Sequence, residues 1–156
     1  MGDALDLKSF GYIAGAMLLG GAIGFERELA DKPAGMRTHM LVAGAAAMFV
    51  FLADMLVTKF AGQFGEVIRS DPVRLIEAIA TGVAFLGAGT IIRHGNRNLI
   101  QGLTTAATLL FTAAIGICVG LKHILLALGA TVLVLLTLRI IPIFEARFMK
   151  KENKSP

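Results

Sequence analysis

The chain has 156 residues, of which 56% are hydrophobic and 17% charged, and its mean hydropathy is +0.75. Because soluble domains average about 45–50% apolar residues, this excess indicates a protein that is surrounded by lipid. The formal net charge of +4 is small and spread along the sequence, which argues against a nucleic-acid-binding protein. A single cysteine, Cys118, excludes an intramolecular disulfide, and the length favours one domain.

Five apolar segments, separated by polar breaks, predict an all-α membrane protein with a bundle of five transmembrane helices. Most are close to the roughly 20 residues that a helix needs to cross a hydrocarbon layer about 30 Å thick. The predicted helices cover about residues 10–30, 38–59, 72–92, 102–120 and 124–143. Together they form one transmembrane domain over residues 1–143, and residues 144–156 form a basic tail.

The breaks between these helices carry turn and capping residues. Pro33 ends the first helix because proline lacks a backbone N–H, and Thr38 is the expected N-cap of the second helix. Asp71 and Pro72 begin the third helix as an N-cap followed by proline at the first helical position. Glycine and asparagine residues predict a polar turn over residues 93–101, before the fourth helix.

The distribution of Lys and Arg predicts the orientation of the chain, since cytoplasmic loops carry the excess of these residues. Five crossings place ten of them on one side: Arg27, Lys32, Arg37, Arg93, Arg97, Arg139, Arg147, Lys150, Lys151 and Lys154. The other side holds five: Lys8, Lys59, Arg69, Arg74 and Lys122. The sequence therefore predicts an N-terminus outside and a cytoplasmic C-terminus, with the basic tail on anionic lipid.

Small residues recur at short intervals along the first, third and fourth helices. In a membrane such residues let helix backbones approach closely. The predicted packing positions are Gly11, Gly15, Gly20, Gly24, Gly87, Gly89, Thr108, Thr112 and Gly116. We expect the exposed parts of these ridges to support a homo-oligomer, with a homodimer as the simplest case.

A first candidate site lies at the predicted cytoplasmic ends of helices one to four, where it would bind a ligand or a partner protein. Its members are Glu26, Arg27, Glu28, Arg37, Thr38, Arg93, Arg97, Thr104 and Thr105, with His39 beside them. Glu26 can pair with Arg37 or Arg93 across the loops. The N-terminus of helix four offers N–H groups to an anion or to the carboxylate of a partner. The alternative is a network of salt bridges and caps that only holds the loops to the bundle.

A second candidate site consists of Asp54 and Glu77, each about five residues from the predicted outer end of its helix. A charge at the centre of a membrane helix costs roughly 2.5–3.5 kcal/mol, and less near the interface, so each carboxylate needs a partner or water. The two acids at similar depth form a candidate cation or shared-proton site on the outer side. The alternative is pairing with Lys59 and Arg74, which are close to them in sequence.

The residues favour a membrane protein without enzymatic activity. The sequence contains no GxSxG, no HExxH and no phosphate-binding loop, and nothing in it indicates a cofactor. Two function classes remain. One is a regulatory protein that binds other integral membrane proteins, and the other is a small-ion channel or transporter that acts as an oligomer. In the second class, the stripe of Thr104, Thr108 and Thr112 is the candidate lining of the ion path.

Six motifs occur in the order and spacing of the MgtC/SapB family of bacterial inner-membrane proteins, which the chain resembles from about Gly15 to Arg139. They are FERE at 25–28, KPAGMRTH at 32–39, Asp71-Pro72 with Arg74, TGVAFLGAGTIIR at 81–93, GLTTAAT at 102–108 and AAIG at 113–116. Ala84 and the Glu77-Ala78 pair depart from the common pattern. The chain resembles a short form of the family, without the soluble C-terminal domain of longer members.

This resemblance implies a multi-pass protein of the bacterial inner membrane that is linked to magnesium limitation and stress adaptation. In pathogens it implies a role in virulence, through survival inside phagocytes. The resemblance also implies that the protein acts on another integral membrane protein, the ATP synthase, with Mg²⁺ as a ligand or signal. A magnesium channel or transporter that acts as an oligomer is the alternative.

Overall fold

The structure is a computed structural model that describes the backbone of residues 2–64, 71–94 and 99–152, and the side chains of residues 7–59, 71–91 and 101–144. Its elements are α1 (Gly2–Leu29), α2 (Met36–Phe64), α3 (Pro72–Gly89), β1 (Ile92–His94), β2 (Leu99–Gln101), α4 (Leu103–Gly120) and α5 (Ile124–Glu152). Within these residues, five helices are long and apolar enough to cross a membrane. The prediction of a multi-pass, helical membrane protein is therefore confirmed.

Helix α4 is the centre of the bundle. It packs against each of the other four helices, and half of its membrane-length segment is buried, compared with 17% for α3. One apolar cluster, which includes Ile23 and Ile115, joins α1, α2, α4 and α5, and a second, which includes Val83 and Leu109, joins α2, α3 and α4. Helix α3 packs on α4 and barely contacts α2, so it lies at the edge of the bundle.

The start of α3 follows the sequence signal. Asp71 is its N-cap, and the Asp71 Oδ1 accepts a hydrogen bond of 3.0 Å from the Val73 N–H, with Pro72 next in the chain. The end of α5 differs from the expected boundary at residue 143, because the helix continues through Pro142 to Glu152. The apolar pattern stops near residue 143, but a loss of hydropathy alone does not end a helix.

A short β-hairpin replaces most of the turn that the sequence predicts over residues 93–101. Strand β1 pairs antiparallel with β2, in the register Ile92 with Gln101, Arg93 with Ile100 and His94 with Leu99. Isoleucine at positions 92 and 100 favours strands, but segments of three residues are too short to show a periodicity. Arg97 lies outside the described residues.

Gly102 connects this hairpin to α4 in a conformation that favours glycine. Its φ is +96°, and a Cβ at this position would overlap the carbonyl group of Thr90. L-residues rarely adopt such a φ, whereas glycine does so at no steric cost. The close contact places the end of α3 directly against the start of α4, and so fixes the two helices in an antiparallel pair.

The predicted packing glycines fall into two groups. A Cβ on Gly20 would lie 2.5 Å from the His39 carbonyl oxygen, and one on Gly24 would lie 2.6 Å from the Met36 Cα. Gly116 approaches the backbone of Ala43 on α2 in the same way, and Gly87 packs on Ala106 of α4. Nothing lies within 4 Å of a Cβ built on the remaining three, Gly11, Gly15 and Gly89. No other part of the described chain packs on these three glycines, so their role in helix packing stays a prediction.

Candidate functional site

The structure gathers the central part of the first candidate site at one end of the bundle, where α1 ends and α2 and α4 begin. We call it the Arg27 end. Arg27 is only 4% exposed, and its Nε and Nη2 both lie 2.6 Å from the Glu26 Oε2. The Glu26 side chain is 12% exposed. Because both groups are largely removed from water, the ion pair is far less screened than one on a surface.

Among the described side chains Glu26 pairs with Arg27 and not with Arg37, and its pairing with Arg93 stays a prediction. Arg37 is exposed and forms no ion pair among the described side chains, and the side chain of Arg93 lies outside them. The expectation rested on the sequence, in which Glu26 and Arg37 flank the turn that contains Pro33 and Gly35. Here the long Arg27 side chain folds back to its neighbour, because it is enclosed by the bundle rather than by solvent.

Glu28 ties α1 to the start of α2. Its Oε2 accepts a hydrogen bond of 2.9 Å from the N–H of Met36, and Met36 is the first residue of α2. A carboxylate at this position satisfies a free N–H and favours the positive end of the helix dipole. The prediction that Thr38 is the N-cap is therefore wrong, since Thr38 is an exposed residue of the first turn. Gly35 leaves room for the Glu28 carboxylate, because a Cβ there would lie 2.8 Å from Oε2.

His39 is the polar residue that the sequence placed least well, because it lies in the core and not at the interface. It is fully buried, with Nδ1 2.9 Å from the Gly35 carbonyl oxygen and Nε2 3.2 Å from the Thr108 Oγ1. A carbonyl only accepts, so the Nδ1 carries a proton. The Thr108 hydroxyl also lies 2.8 Å from the Thr105 carbonyl oxygen. When the His39 Nε2 is unprotonated, this nitrogen and the Thr105 carbonyl oxygen are both acceptors, and the hydroxyl has one proton to donate to one of them. The hydrogen bond between His39 and Thr108 joins α2 to α4.

The threonines of α4 divide between the surface and the core. Thr104 is exposed, whereas Thr105, Thr108 and Thr112 are at most 5% exposed. The Thr112 hydroxyl donates to the Thr108 carbonyl oxygen at 2.7 Å, within its own helix. Within one chain, the buried threonines are enclosed by the bundle, and the hydroxyls of Thr108 and Thr112 donate to backbone carbonyls. They are part of the packing of the bundle rather than the lining of an open path.

Asp54 and Glu77 do not meet. Both are exposed, and no hydrogen bond or ion pair joins their carboxylates to each other, to Lys59 or to Arg74 among the described side chains. The Arg74 Nε lies instead 3.7 Å from the Asp71 Oδ2. No cluster of three or more potential metal ligands from His, Cys, Asp and Glu occurs in the part of the chain that the structure describes.

Ideal helix geometry places the two acids at different levels along the bundle, whereas the sequence predicts a similar depth. His39 contacts Thr108, and Gly87 contacts Ala106, so these contacts give α2 and α3 a common reference along α4. At 1.5 Å per residue, Asp54 lies about 22 Å beyond His39, while Glu77 lies about 15 Å beyond Gly87. Thr108 lies about half a helical turn beyond Ala106 along α4. Asp54 is therefore offset from Glu77 by roughly 10 Å along the bundle axis. Helix α2 extends beyond its neighbours at this end, which the sequence did not reveal.

Comparison with known proteins places these observations in a family. The sequence profile of the MgtC family matches residues 13–147. Protein MgtC of Brucella abortus strain 2308 is 42% identical over 123 residues, which are 79% of this chain and 47% of the relative. The putative magnesium transporter YhiD of Escherichia coli K12 is 39% identical over 136 residues, which are 84% of this chain and 59% of the relative.

An uncharacterized protein of Haemophilus influenzae is 37% identical over 139 residues, which are 89% of this chain and 58% of the relative. The chain thus spans about half the length of the curated relatives that it matches. No solved structure matches it. Since the family profile covers most of the sequence, including every residue of the Arg27 end described above, the chain belongs to the MgtC family.

Proposed function

We propose that this chain is a regulatory protein of the bacterial inner membrane that binds other integral membrane proteins and acts in adaptation to magnesium limitation. The observation that supports this most is the pairing of buried polar groups at the Arg27 end. Arg27 pairs with Glu26, and His39 bonds to Gly35 and Thr108. Polar groups that are satisfied within the bundle stabilise its shape, whereas a path for ions needs polar groups that face a water-filled space.

The lipid-exposed side of the bundle supports an interaction role. Helix α3 has the least buried membrane-length segment, and it exposes Glu77 together with the small residues Thr81, Ala84 and Ala88. Small residues let a partner helix approach, and a carboxylate within an apolar segment favours a partner that supplies a hydrogen bond or a cation. The family resemblance implies the membrane ATP synthase as one such partner, and the exposed ridges of small residues favour a second copy of this chain as another. A role in virulence and the absence of enzymatic activity belong to the same proposal.

A magnesium channel or transporter is the second candidate function. The observation that favours it is the printed name of the Escherichia coli relative, a putative magnesium transporter. Because Thr105, Thr108 and Thr112 are buried inside one chain, a path would have to form between chains. The exposed Asp54 and Glu77 are the acids that such an oligomer would offer to a cation.

Two measurements on the full chain separate these functions. The first is Mg²⁺ flux into proteoliposomes loaded with a Mg²⁺-sensitive dye, with the D54N/E77Q double variant as the matched control. We expect no flux above that of protein-free vesicles. The second is crosslinking in native membranes followed by purification, which we expect to recover a defined integral membrane protein. Selective Mg²⁺ flux that the double variant abolishes would establish transport and refute the regulatory proposal.

A further inference from the structure

A groove of about 390 Å³ runs between α1 and α5 on the outside of the bundle. Its walls are apolar and are formed by Ala22 and Phe25 on α1 and by Leu135 and Leu136 on α5. At the Arg27 end the groove finishes at two charged residues, Glu26 and Arg139. The groove is therefore an apolar channel along the membrane-facing surface with a carboxylate and a guanidinium at one end.

Arg139 lies near the end of a membrane-length segment and has no counter-charge among the described side chains. It is exposed within the membrane-length segment Ile124–Phe144, about 7.5 Å along the helix from Phe144. Among the described side chains it forms no ion pair. A guanidinium at this depth is costly without a counter-charge, and its planar donors match the oxygens of a phosphate.

Glu26 offers the complementary charge beside it. Arg27 binds the Glu26 carboxylate only through Oε2, and the other oxygen, Oε1, has no hydrogen bond to any described residue. The end of the groove thus presents an acceptor oxygen and a guanidinium that no described side chain pairs. A headgroup that carries an ammonium and a phosphate matches both groups, whereas a headgroup with a phosphate alone matches only Arg139.

We propose that this groove binds one molecule of an aminophospholipid, phosphatidylethanolamine in its simplest form. The acyl chain lies along the apolar walls, the phosphate binds Arg139 and the ammonium donates to the Glu26 Oε1. The site is independent of the regulatory function proposed above. A second apolar groove of about 490 Å³ lies between α2 and α3 and is lined by residues such as Phe49, Ala78 and Leu86, with no charged residue in its lining. That groove has no means to select a headgroup, so it supplies a matched control.

Native mass spectrometry on the detergent-solubilised full chain tests the site. The protein is incubated with an equal mixture of phosphatidylethanolamine, phosphatidylcholine and phosphatidylglycerol that share the same acyl chains. We expect one phosphatidylethanolamine to be retained, with about a tenfold preference over either competitor, because each charged hydrogen bond to the headgroup is worth on the order of 1.4 kcal/mol or more. Phosphatidylcholine tests the hydrogen bond from the ammonium, because its quaternary ammonium has no N–H to donate. Phosphatidylglycerol tests the phosphate alone, because its headgroup has no ammonium.

Three variants assign the contacts, and each changes an exposed or partly exposed side chain. R139Q should lose retention of all three lipids, and A22F, which fills the groove, should do the same. E26Q also removes the ion-pair partner of Arg27, so its fold is checked by circular dichroism; the folded variant should keep one lipid bound but lose the preference for phosphatidylethanolamine. The controls are A78F, which fills the second groove, and R74Q, which removes an exposed arginine far from the site; both should retain phosphatidylethanolamine as the unchanged chain does.

The proposal is overturned if folded R139Q and A22F proteins, checked by circular dichroism, retain phosphatidylethanolamine as well as the unchanged chain. It is also overturned if A78F loses the lipid to the same extent, because the lipid then occupies the other groove. Equal retention of all three lipids would refute the assignment of the headgroup. Loss of all lipid on formation of a dimer that covers α1 and α5 would show that a second copy, and not a lipid, occupies the groove.

Discussion

The two ends of the bundle treat polar side chains in opposite ways. At the Arg27 end, Arg27 and His39 are buried and each is paired with another group of the same chain. Toward the opposite end, Asp54 and Glu77 are exposed and form no ion pair with any described residue. The buried polar groups of the first end are therefore satisfied within the protein, whereas Asp54 and Glu77 remain available to water, headgroups or another molecule.

This difference separates residues that act in folding from residues that are free to act in binding. A polar group that is buried within the bilayer has no water to hydrogen-bond with, so it requires a partner within the protein. Exposed acids carry no such requirement from the fold. The following substitutions are expected to reproduce the division, with large losses of stability at the Arg27 end and small ones at Asp54 and Glu77.

The largest effect is expected for R27Q. Removal of the guanidinium leaves the enclosed Glu26 carboxylate without its ion-pair partner, which costs on the order of 3–5 kcal/mol in buried pairs. The measurement is the free energy of unfolding by SDS titration in mixed micelles. R74Q is the matched control, because the Arg74 and Asp71 side chains are 84% and 53% exposed and such pairs contribute only about 0–1 kcal/mol. Equal losses in the two variants would mean that burial does not distinguish the two ends.

The second effect concerns the close approach of α1 and α2. G20A places a methyl group 2.5 Å from the His39 carbonyl oxygen and 2.8 Å from the Ala43 Cβ, so the helices must separate. Overpacking of this kind costs about 1–3 kcal/mol of unfolding free energy. G15A, on the same helix, meets nothing within 4 Å and should be neutral or more stable by up to about 1 kcal/mol, since alanine favours helix. The same SDS titration measures both, and an equal loss in G15A would indicate a second copy packed on that part of α1.

These two glycines also show what the sequence predicts and what it does not. The apolar segments and the Asp71-Pro72 start of α3 are local features, and the structure confirms the helices that they indicate. The contacts of Gly15 and Gly20 are not local. Both belong to similar ridges of small residues, and only the face of α1 that meets α2 decides which one is packed.

The candidate site shows the same limit. The sequence placed Glu26, Arg27 and Glu28 at one end of the bundle, and there the structure finds them. It gave no reason to bury His39, because this depends on which face of α2 meets Thr108 of α4. The one available signal was spacing, since His39 shares a helical face with the buried Ala43 and Ala46.

The third effect concerns the hydrogen bond between His39 and Thr108. A double-mutant cycle of H39A and T108V isolates its contribution, because each single variant removes one partner. Hydrogen bonds between membrane helices average about 0.6 kcal/mol and reach about 1.7, so we expect a coupling energy in this range. Unfolding in mixed micelles again supplies the free energies. Strict additivity of the two losses would show that the Nε2 and the hydroxyl do not support each other.

The smallest effect on stability is expected for D54N and E77Q. Both acids are exposed and unpaired among the described residues, so each substitution should change the unfolding free energy by less than about 0.5 kcal/mol.

The informative measurement is the midpoint of thermal unfolding with and without Mg²⁺. If the two acids act together as a cation site, in one chain or between chains, Mg²⁺ should raise this midpoint and the D54N/E77Q double variant should abolish the increase. Their separation by roughly 10 Å along the bundle argues against a shared ion within one chain, so we expect the same Mg²⁺ dependence in both proteins. If Mg²⁺ raises the unfolding midpoint of the unchanged chain but not that of the double variant, the two acids form one cation site, which would have to be assembled between copies of the chain.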